Sequence, residues 1–248
     1  MFLRVPVPGL VSGEMTLAAD VAHYVVRVRR LAAGDPFLAF DPVRGLEAGA
    51  ELVSVTPHEV VARVGPLEPA RRIAPREVSW IQALPKGEKM DGIVRDATEL
   101  GATRIVPVTS AFTVVKLDPA RQKSRRERWV RIATEAARQS GRGDTPSIEA
   151  VAPWDEALAL GAGGSGFCLY ERATEPLGPR LLAALETGSP LTFAAGPEGG
   201  LSPDEVGAAH RRGFDVVSLG GLVMRAETVA AATLGAVQVL ATMALGGR

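Results

Sequence analysis

The 248-residue sequence predicts an α/β protein, a mostly parallel sheet covered by helices, preceded by a small β-rich N-terminal domain. Three observations predict it. Short β-branched and aromatic runs crowd the first 70 residues, strand-like and helix-like stretches alternate afterwards, and a proline-containing segment, LEPARRIAPRE, divides the two regimes. Alternation of strands and helices marks a parallel sheet, whereas clustered short strands make a separate β module.

In order, FLRVPV, DPFLAFD, ELVSVTP and EVVARVGPL read as strands with Gly, Pro or Asp nearby. HYVVRVRR fits a helical turn or a strand equally well. Pro69 and Pro75 make the next stretch a linker, which sets the domains at 1–72 and 73–248. SWIQAL (79–84) begins the second domain. Lys86 to Leu100 follows as a helix, because Met90, Ile93, Val94, Ala97 and Leu100 recur on one face. RIVPVT (104–109) is a strand, and 121–140 a basic helix buried through Trp129, Ile132, Ala133 and Ala136. FCLY, LTFAA and DVVSL are short apolar strands, with helices at 177–187, 203–212 and 226–245. Ligands of such sheets sit at the carboxyl ends of the strands.

Composition narrows the function classes. Lys plus Arg equals Asp plus Glu, 28 each, so the whole chain has no electrostatic commitment to a polyanion. One cysteine, Cys168, excludes a disulfide framework and a cysteine metal site and fits a reducing cytosol. The three histidines, His23, His58 and His210, lie in separate segments, so no metal is expected. MFLRVPVPGL has no apolar core of signal-peptide length. Val229 to Leu245 is interrupted by Thr233, Gln238 and Thr242, and falls short of the roughly 20 residues that span a bilayer. A soluble, cytoplasmic protein without a membrane segment is the expectation.

The balanced total hides a local excess. Lys116, Arg121, Lys123, Arg125, Arg126, Arg128, Arg131, Arg138 and Arg142 face only Asp118, Glu127 and Glu135 in the same stretch. Such a stripe is either a polyanion footprint or a solvated helix face.

Two loops carry the chemical argument. GAGGSG (161–166) matches a dinucleotide fingerprint literally, but it follows a helix and leads into a strand, the reverse of the required context. It reads as a flexible linker. GPEGGLSPDE (196–205) follows the strand LTFAA. Ser202 stands at the N-cap, Pro203 at N1 and Glu205 at N3, a capping box. Asp204 and Glu205 occupy the positive end of the helix dipole, and Glu198 adds a third charge, so the loop is hostile to phosphate. A ligand that needs close backbone approach yet is neutral or cationic fits, and S-adenosylmethionine meets that description. A glycine-rich turn without a ligand is the alternative. DVVSLGG again runs from strand into glycines, followed by Arg225, Glu227 and Thr228 where the last helix begins.

GPEGGLSPDEV followed by LGGLVMRAETVAAAT resembles the C-terminal signature of the ribosomal RNA small subunit methyltransferase E family, a SPOUT-type group. KGEKMDGIVRDATELGATRIVPV, EAARQSGRGDTPSI and HYVVRVRRLAAGD extend the resemblance, in order, over nearly the whole chain. The resemblance implies a SPOUT-type parallel sheet with a deep trefoil knot behind a PUA-like, RNA-binding β-barrel. It implies S-adenosylmethionine-dependent methylation of uridine N3 in 16S ribosomal RNA, with the rRNA or the small ribosomal subunit as substrate. The cofactor contacts it implies are Leu169, Tyr170 and Glu171; Gly196, Pro197, Glu198, Gly199 and Gly200; and Leu219, Gly220, Leu222, Met224, Ala226 and Thr228. Leu222 stands where the family often has Arg, and Ala226 replaces a usual Thr, so no side-chain role carries over there. RNA contacts are expected at Arg27, Lys86, Arg125, Arg126, Arg128, Gln139 and Arg142, and Glu99 matches a position near the substrate side. Relatives pair through the last helix, and the small residues Ala231, Gly235 and Ala236 suit that, so a homodimer is expected. A knotted enzyme acting on tRNA and a non-catalytic RNA-binding protein are the competing readings.

Arg225 and Glu227 are the expected catalytic residues. Uridine N3 is protonated at neutral pH, so methylation requires the uracil anion, whose charge spreads onto O2 and O4. A guanidinium at Arg225 stabilises that charge, while Glu227 orients it or accepts the proton. The bland reading is an Arg–Glu pair that only fixes the helix start.

Overall fold

The computed structural model describes residues 3–114, 118–161 and 163–246; Lys116 of the basic run lies outside the described residues. The chain divides into two compact units. One runs to Ile73 and takes in Thr134–Thr145, and the other holds Ala74–Ala133 and the chain from Pro146 onward.

The first unit contains β1 (Arg4–Pro6), β2 (Gly13–Thr16), α1 (Ala19–His23), β3 (Pro36–Asp41), β4 (Leu46–Val55), β5 (Val60–Val64) and β6 (Glu68–Pro69). The sheet runs β1-β3-β4-β5-β2, with β6 on β4. β1 pairs with β3 in parallel and the other ladders are antiparallel. Among the described residues no ladder joins β1 to β2, so the sheet is an open path. Val5, Phe37, Ala39, Leu52 and Ala62 form its core with Leu10 and Val25. HYVVRVRR is helical: α1 ends at His23, and Tyr24–Val28 continues as one π-helical turn. The segment read as a linker is partly built in. Ala70 is buried with its N–H on the Gly45 carbonyl, and the Arg72 carbonyl accepts from Gly143. A Cβ at Gly143 would lie 2.1 Å from that of Ala70, so the returning segment packs there only because it has glycine.

The second unit contains β7 (Val78–Ala83), α2 (Lys89–Glu99), β8 (Arg104–Thr109), α3 (Pro119–Ser140, whose last turns cluster with the first unit), β9 (Ser147–Ile148), β10 (Ala152–Pro153) and α4 (Trp154–Ala157). β11 (Ser165–Leu169), α5 (Leu177–Thr187), β12 (Leu191–Ala195), α6 (Pro203–Arg211), β13 (Phe214–Val217) and α7 (Ala226–Gly246) complete it. Every ladder is parallel, in the order β10-β8-β7-β12-β11-β13 with β9 also on β8, which makes a mixed α/β fold on a parallel sheet. Such a sheet is buried on both faces, and β12 is buried at all five positions. Trp80, Phe167 and Phe193 point to one face with α2, α3, α5 and α7, the two phenylalanine rings stacked at 5.3 Å. Ile81, Cys168 and Ala194 point to the other, against Trp154, Leu158 and Ala209. Burial pushes the Cys168 thiol up to about 12, helped by the charge of Glu205, so it is an inert core residue.

Two readings of the sequence change in this unit. Of GAGGSG, Ala162 lies outside the described residues, but its flanks are closely packed: a Cβ at Gly161 would meet the Phe214 ring at 2.5 Å, and one at Gly164 the Pro190 carbonyl oxygen at 2.3 Å. The glycines let the chain pass against rigid neighbours. α7 carries one 18-residue apolar window, Ala226–Met243, long and apolar enough to cross a membrane, but Ala230, Leu234 and Val237 are buried in the core. It is the central helix of its layer, in contact with α2 and α5.

Candidate active site

β12 and β13 flank β11 on opposite sides although both follow it in the chain. Loops leaving these three strands therefore diverge around a crevice at their carboxyl ends, where parallel sheets place ligands. A cavity of about 430 Å³ opens there. Leu169, Tyr170 and Glu171 line it after β11, Gly196 to Leu201 after β12, and Leu219, Gly220 and Leu222 to Ala226 after β13. Every expected cofactor contact except Thr228 is in this lining. Thr228 is exposed one turn into α7, with its N–H on the Arg225 carbonyl. Lys89, Ala195, Leu201, Val223 and Val229 complete the wall and were not singled out from the sequence.

The loop after β12 is tightly determined. It folds back so closely that a Cβ at Gly196 would lie 2.8 Å from the Gly200 carbonyl carbon. Gly200 adopts φ +74°, a left-handed conformation that favours glycine. The buried Gln82 Nε2 donates to the Gly196 carbonyl at 3.1 Å. The capping box forms, with the Ser202 hydroxyl accepting from the Glu205 N–H and the Glu205 carboxylate from the Ser202 N–H. The other Glu205 oxygen accepts from the Ala111 N–H at 2.7 Å.

Glu198 is not the unpaired anion that the loop sequence suggests. Its carboxylate accepts the Lys86 backbone N–H at 3.1 Å and meets the Lys89 ammonium at 2.8 Å. Burial pushes this carboxyl up, but the bonds from Lys89 and from backbone N–H groups outweigh it and hold the group below its usual value. The same Lys89, raised by its bond to Glu198, stands 3.7 Å from the Glu227 carboxylate. Neutralised carboxylates oppose a phosphate less than bare ones, so the charge argument against phosphate is weaker than the sequence made it. In the sequence Lys89 lies inside the helix read from Lys86 to Leu100, without a role of its own; the helix in fact begins at Lys89.

The Arg225–Glu227 pair of the bland reading does not form. Glu227 turns to Lys89, and its Oε2 is buried without a hydrogen-bond partner. Among the described residues the Arg225 guanidinium has no hydrogen bond or ion pair, and it stands exposed on the cavity wall. That pairing leaves a cation free to meet a developing anion.

The expected RNA contacts are dispersed. Lys86 is exposed beside the Glu198 loop, and Arg125 is half-buried on α3. Arg126 donates to the Ile148 carbonyl at 2.7 Å, and Arg128 pairs with Asp91 and, at 3.3 Å, with Glu88. Both therefore fasten α3 to its own unit. In the first unit Arg27 and Gln139 are exposed, while Arg142 is buried and paired with Asp144 at 2.6 Å. Glu99 is exposed at the end of α2. Among the described residues no group of three His, Cys, Asp or Glu is placed to hold a metal.

Comparison with known proteins follows the same outline. Residues 72–238 match the RNA methyltransferase domain family. The chain is 32% identical over 227 residues to a ribosomal RNA small subunit methyltransferase E of Bacillus subtilis, covering 90% of this chain and 88% of that protein. A protein of the same name from Synechocystis is 32% identical over 233 residues, 93% of this chain and 75% of its own length. The crystal structure of a ribosomal RNA small subunit methyltransferase E from Neisseria gonorrhoeae bound to S-adenosyl methionine superposes with a TM-score of 0.87 at 26% identity, over 97% of this chain and 98% of that one.

Proposed function

The chain belongs to the ribosomal RNA small subunit methyltransferase E family, and from that premise we propose that it methylates N3 of a uridine in 16S ribosomal RNA with S-adenosylmethionine as donor. One observation carries the chemistry: a guanidinium, Arg225, unpaired among the described residues, on the wall of a glycine-lined cavity whose other near cation, Lys89, is spent on carboxylates.

The cavity suits the donor. Its volume falls within the range of small-ligand sites, roughly 300–1,000 Å³. Gly196 to Gly200 and Gly220 let a ligand approach backbone. Glu171 and Glu198 balance Lys89 and Arg225 in the lining, so no net positive charge opposes a sulfonium. Backbone at 169–171, 196–200 and 219–226 would hold the donor. When bound, it supplies a methyl group made electrophilic by the sulfonium and departs as a neutral thioether. Arg225 faces the uracil oxygens and stabilises the anion as N3 loses its proton. Glu227, two residues after Arg225 and 3.7 Å from the Lys89 ammonium, is the carboxylate that accepts that proton on this reading.

The N-terminal six-stranded sheet is read as a PUA-like RNA-binding module, with Arg27 and Gln139 on its side of the substrate. The second unit is read as a SPOUT domain with a trefoil knot, acting as a homodimer in the cytoplasm. Lys86 and Arg125 are the expected contacts from that unit whose charge is unpaired among the described residues and is offered to RNA phosphate. Methyl transfer from labelled donor to small subunits of a strain lacking the modification, with the product nucleoside identified, tests the function. A single 3-methyluridine in 16S rRNA is expected. Methyl in tRNA, or donor uptake without transfer, contradicts it.

A further inference from the structure

Five of the described phenylalanines are at most 2% exposed, whereas Phe112 is 48% exposed. It follows the carboxyl end of β8, in a turn whose backbone is tied down. The Ser110 N–H donates to the Thr113 hydroxyl at 2.9 Å, the Thr113 N–H to the Ser110 carbonyl at 3.0 Å, and the Ala111 N–H to Glu205 at 2.7 Å. Glu205 is the capping residue of the cavity loop, so the turn and the loop are tied together. Phe112 packs on that loop at Gly199: a Cβ there would come within 2.9 Å of the Phe112 Cβ. Glycine at 199 makes room for the aromatic residue, and the ring is nonetheless left half in water.

Leaving an aromatic ring exposed forgoes the stabilisation of burying it, and a rigid setting removes the option of turning it inward. Two further apolar side chains, Leu222 and Val223, line the cavity while 84% and 83% exposed. The apolar surface around this site is thus carried by two loops. Tyr170, the aromatic residue in the lining, packs against the buried cluster around Trp154 and Phe214, which engages its ring. Phe112 is the one beside the loop with a substantially open surface.

We infer that Phe112 is the stacking surface for the RNA base that receives the methyl group, an inference that rests on the uridine-N3 reading above. N3 lies on the Watson–Crick edge, so a paired or stacked uracil hides the reacting atom. The base must leave its helix, and an extruded base needs a replacement for the stacking it lost. An aromatic face held beside the cavity loop at Gly199 supplies that replacement. Aromatic stacking on single-stranded bases is sequence-tolerant, so Phe112 holds the base while the guanidinium of Arg225 distinguishes its oxygens.

Three variants, Phe112→Ala, Phe112→Leu and Phe112→Trp, test it in the full-length protein. The readouts are kcat/KM for small subunits lacking the modification, affinity for the same subunits without donor, donor Kd by calorimetry, and mass by light scattering. We expect Phe112→Ala and Phe112→Leu to lose about ten- to hundredfold in kcat/KM and to bind subunits more weakly. Donor Kd should stay within about twofold, and Phe112→Trp should retain most activity. A leucine variant equal to wild type shows that only bulk against Gly199 matters and overturns the inference. So does a loss of dimer mass in the alanine variant, which assigns the ring to a second copy of the chain. If wild-type protein binds subunits but transfers no methyl, the functional reading fails, and the affinity series still decides whether Phe112 holds RNA.

Discussion

The loops after β12 and β13 begin from similar sequences, a short apolar strand running into glycines, yet they are built to opposite standards. Gly196–Leu201 is held by Gln82, by Lys86 and Lys89 through Glu198, and by a complete capping box. Ser218–Arg225 has exposed Leu222 and Val223 and an Arg225 side chain with no partner among the described residues. Rigidity in one loop lowers the ordering cost of binding a donor. In the proposed reaction the looser loop keeps a charge for the substrate, so binding and reaction are divided between neighbouring loops.

That division can be broken from either side. The largest effect belongs to the loose loop: Arg225→Ala should lower the single-turnover rate at neutral pH by about 10²–10³-fold while donor Kd stays within a few-fold. Loss of donor binding instead would make Arg225 part of the cradle. Gly196→Ala should do the reverse. Its Cβ meets the Gly200 backbone at 2.8 Å, and overpacking of about 1–3 kcal/mol predicts donor affinity weaker by tenfold or more in calorimetry, with the folded state retained. Ser202→Ala removes one side of the capping box and should cost about 1 kcal/mol in denaturant unfolding, since α6 loses its N-cap acceptor.

The smallest effect is the acid sensitivity of Glu198. Its carboxyl is held below the ordinary 4.5, so the tie to Lys89 stabilises fully above that value and fades as pH falls through the lowered one. Glu198→Gln should therefore lower Tm slightly at pH 7, with the gap to wild type closing toward pH 3. A gap that widens in acid would mean that the carboxylate is not stabilised by its partners.

Local pattern made much of this legible. RIVPVT and LTFAA match β8 and β12 residue for residue, and the helix expected at 177–187 is α5. Apolar periodicity and the Ser202–Glu205 spacing are local properties, so a sequence displays them. The pairing of Lys89 with Glu198 and Glu227 depends on which strands become neighbours, and no periodic signal carries that. The two-residue strands β9 and β10 are too short to show alternation, and the built-in part of the segment around Pro69 depends on Gly143 returning to it. Sequence spacing also suggested an Arg225–Glu227 pair, and the fold instead turns Glu227 to Lys89 and leaves the guanidinium open.

The central claim is that Arg225 stabilises the uracil anion, and the pH dependence of its loss tests that most directly. Single-turnover methyl transfer at saturating donor is measured for wild type and Arg225→Ala from pH 7 to 9.5. The account predicts that the gap between them narrows as pH rises, because hydroxide then supplies part of the anion that the guanidinium otherwise favours. A gap of constant size across that range would contradict it, and would make Arg225 a structural residue of the α7 start.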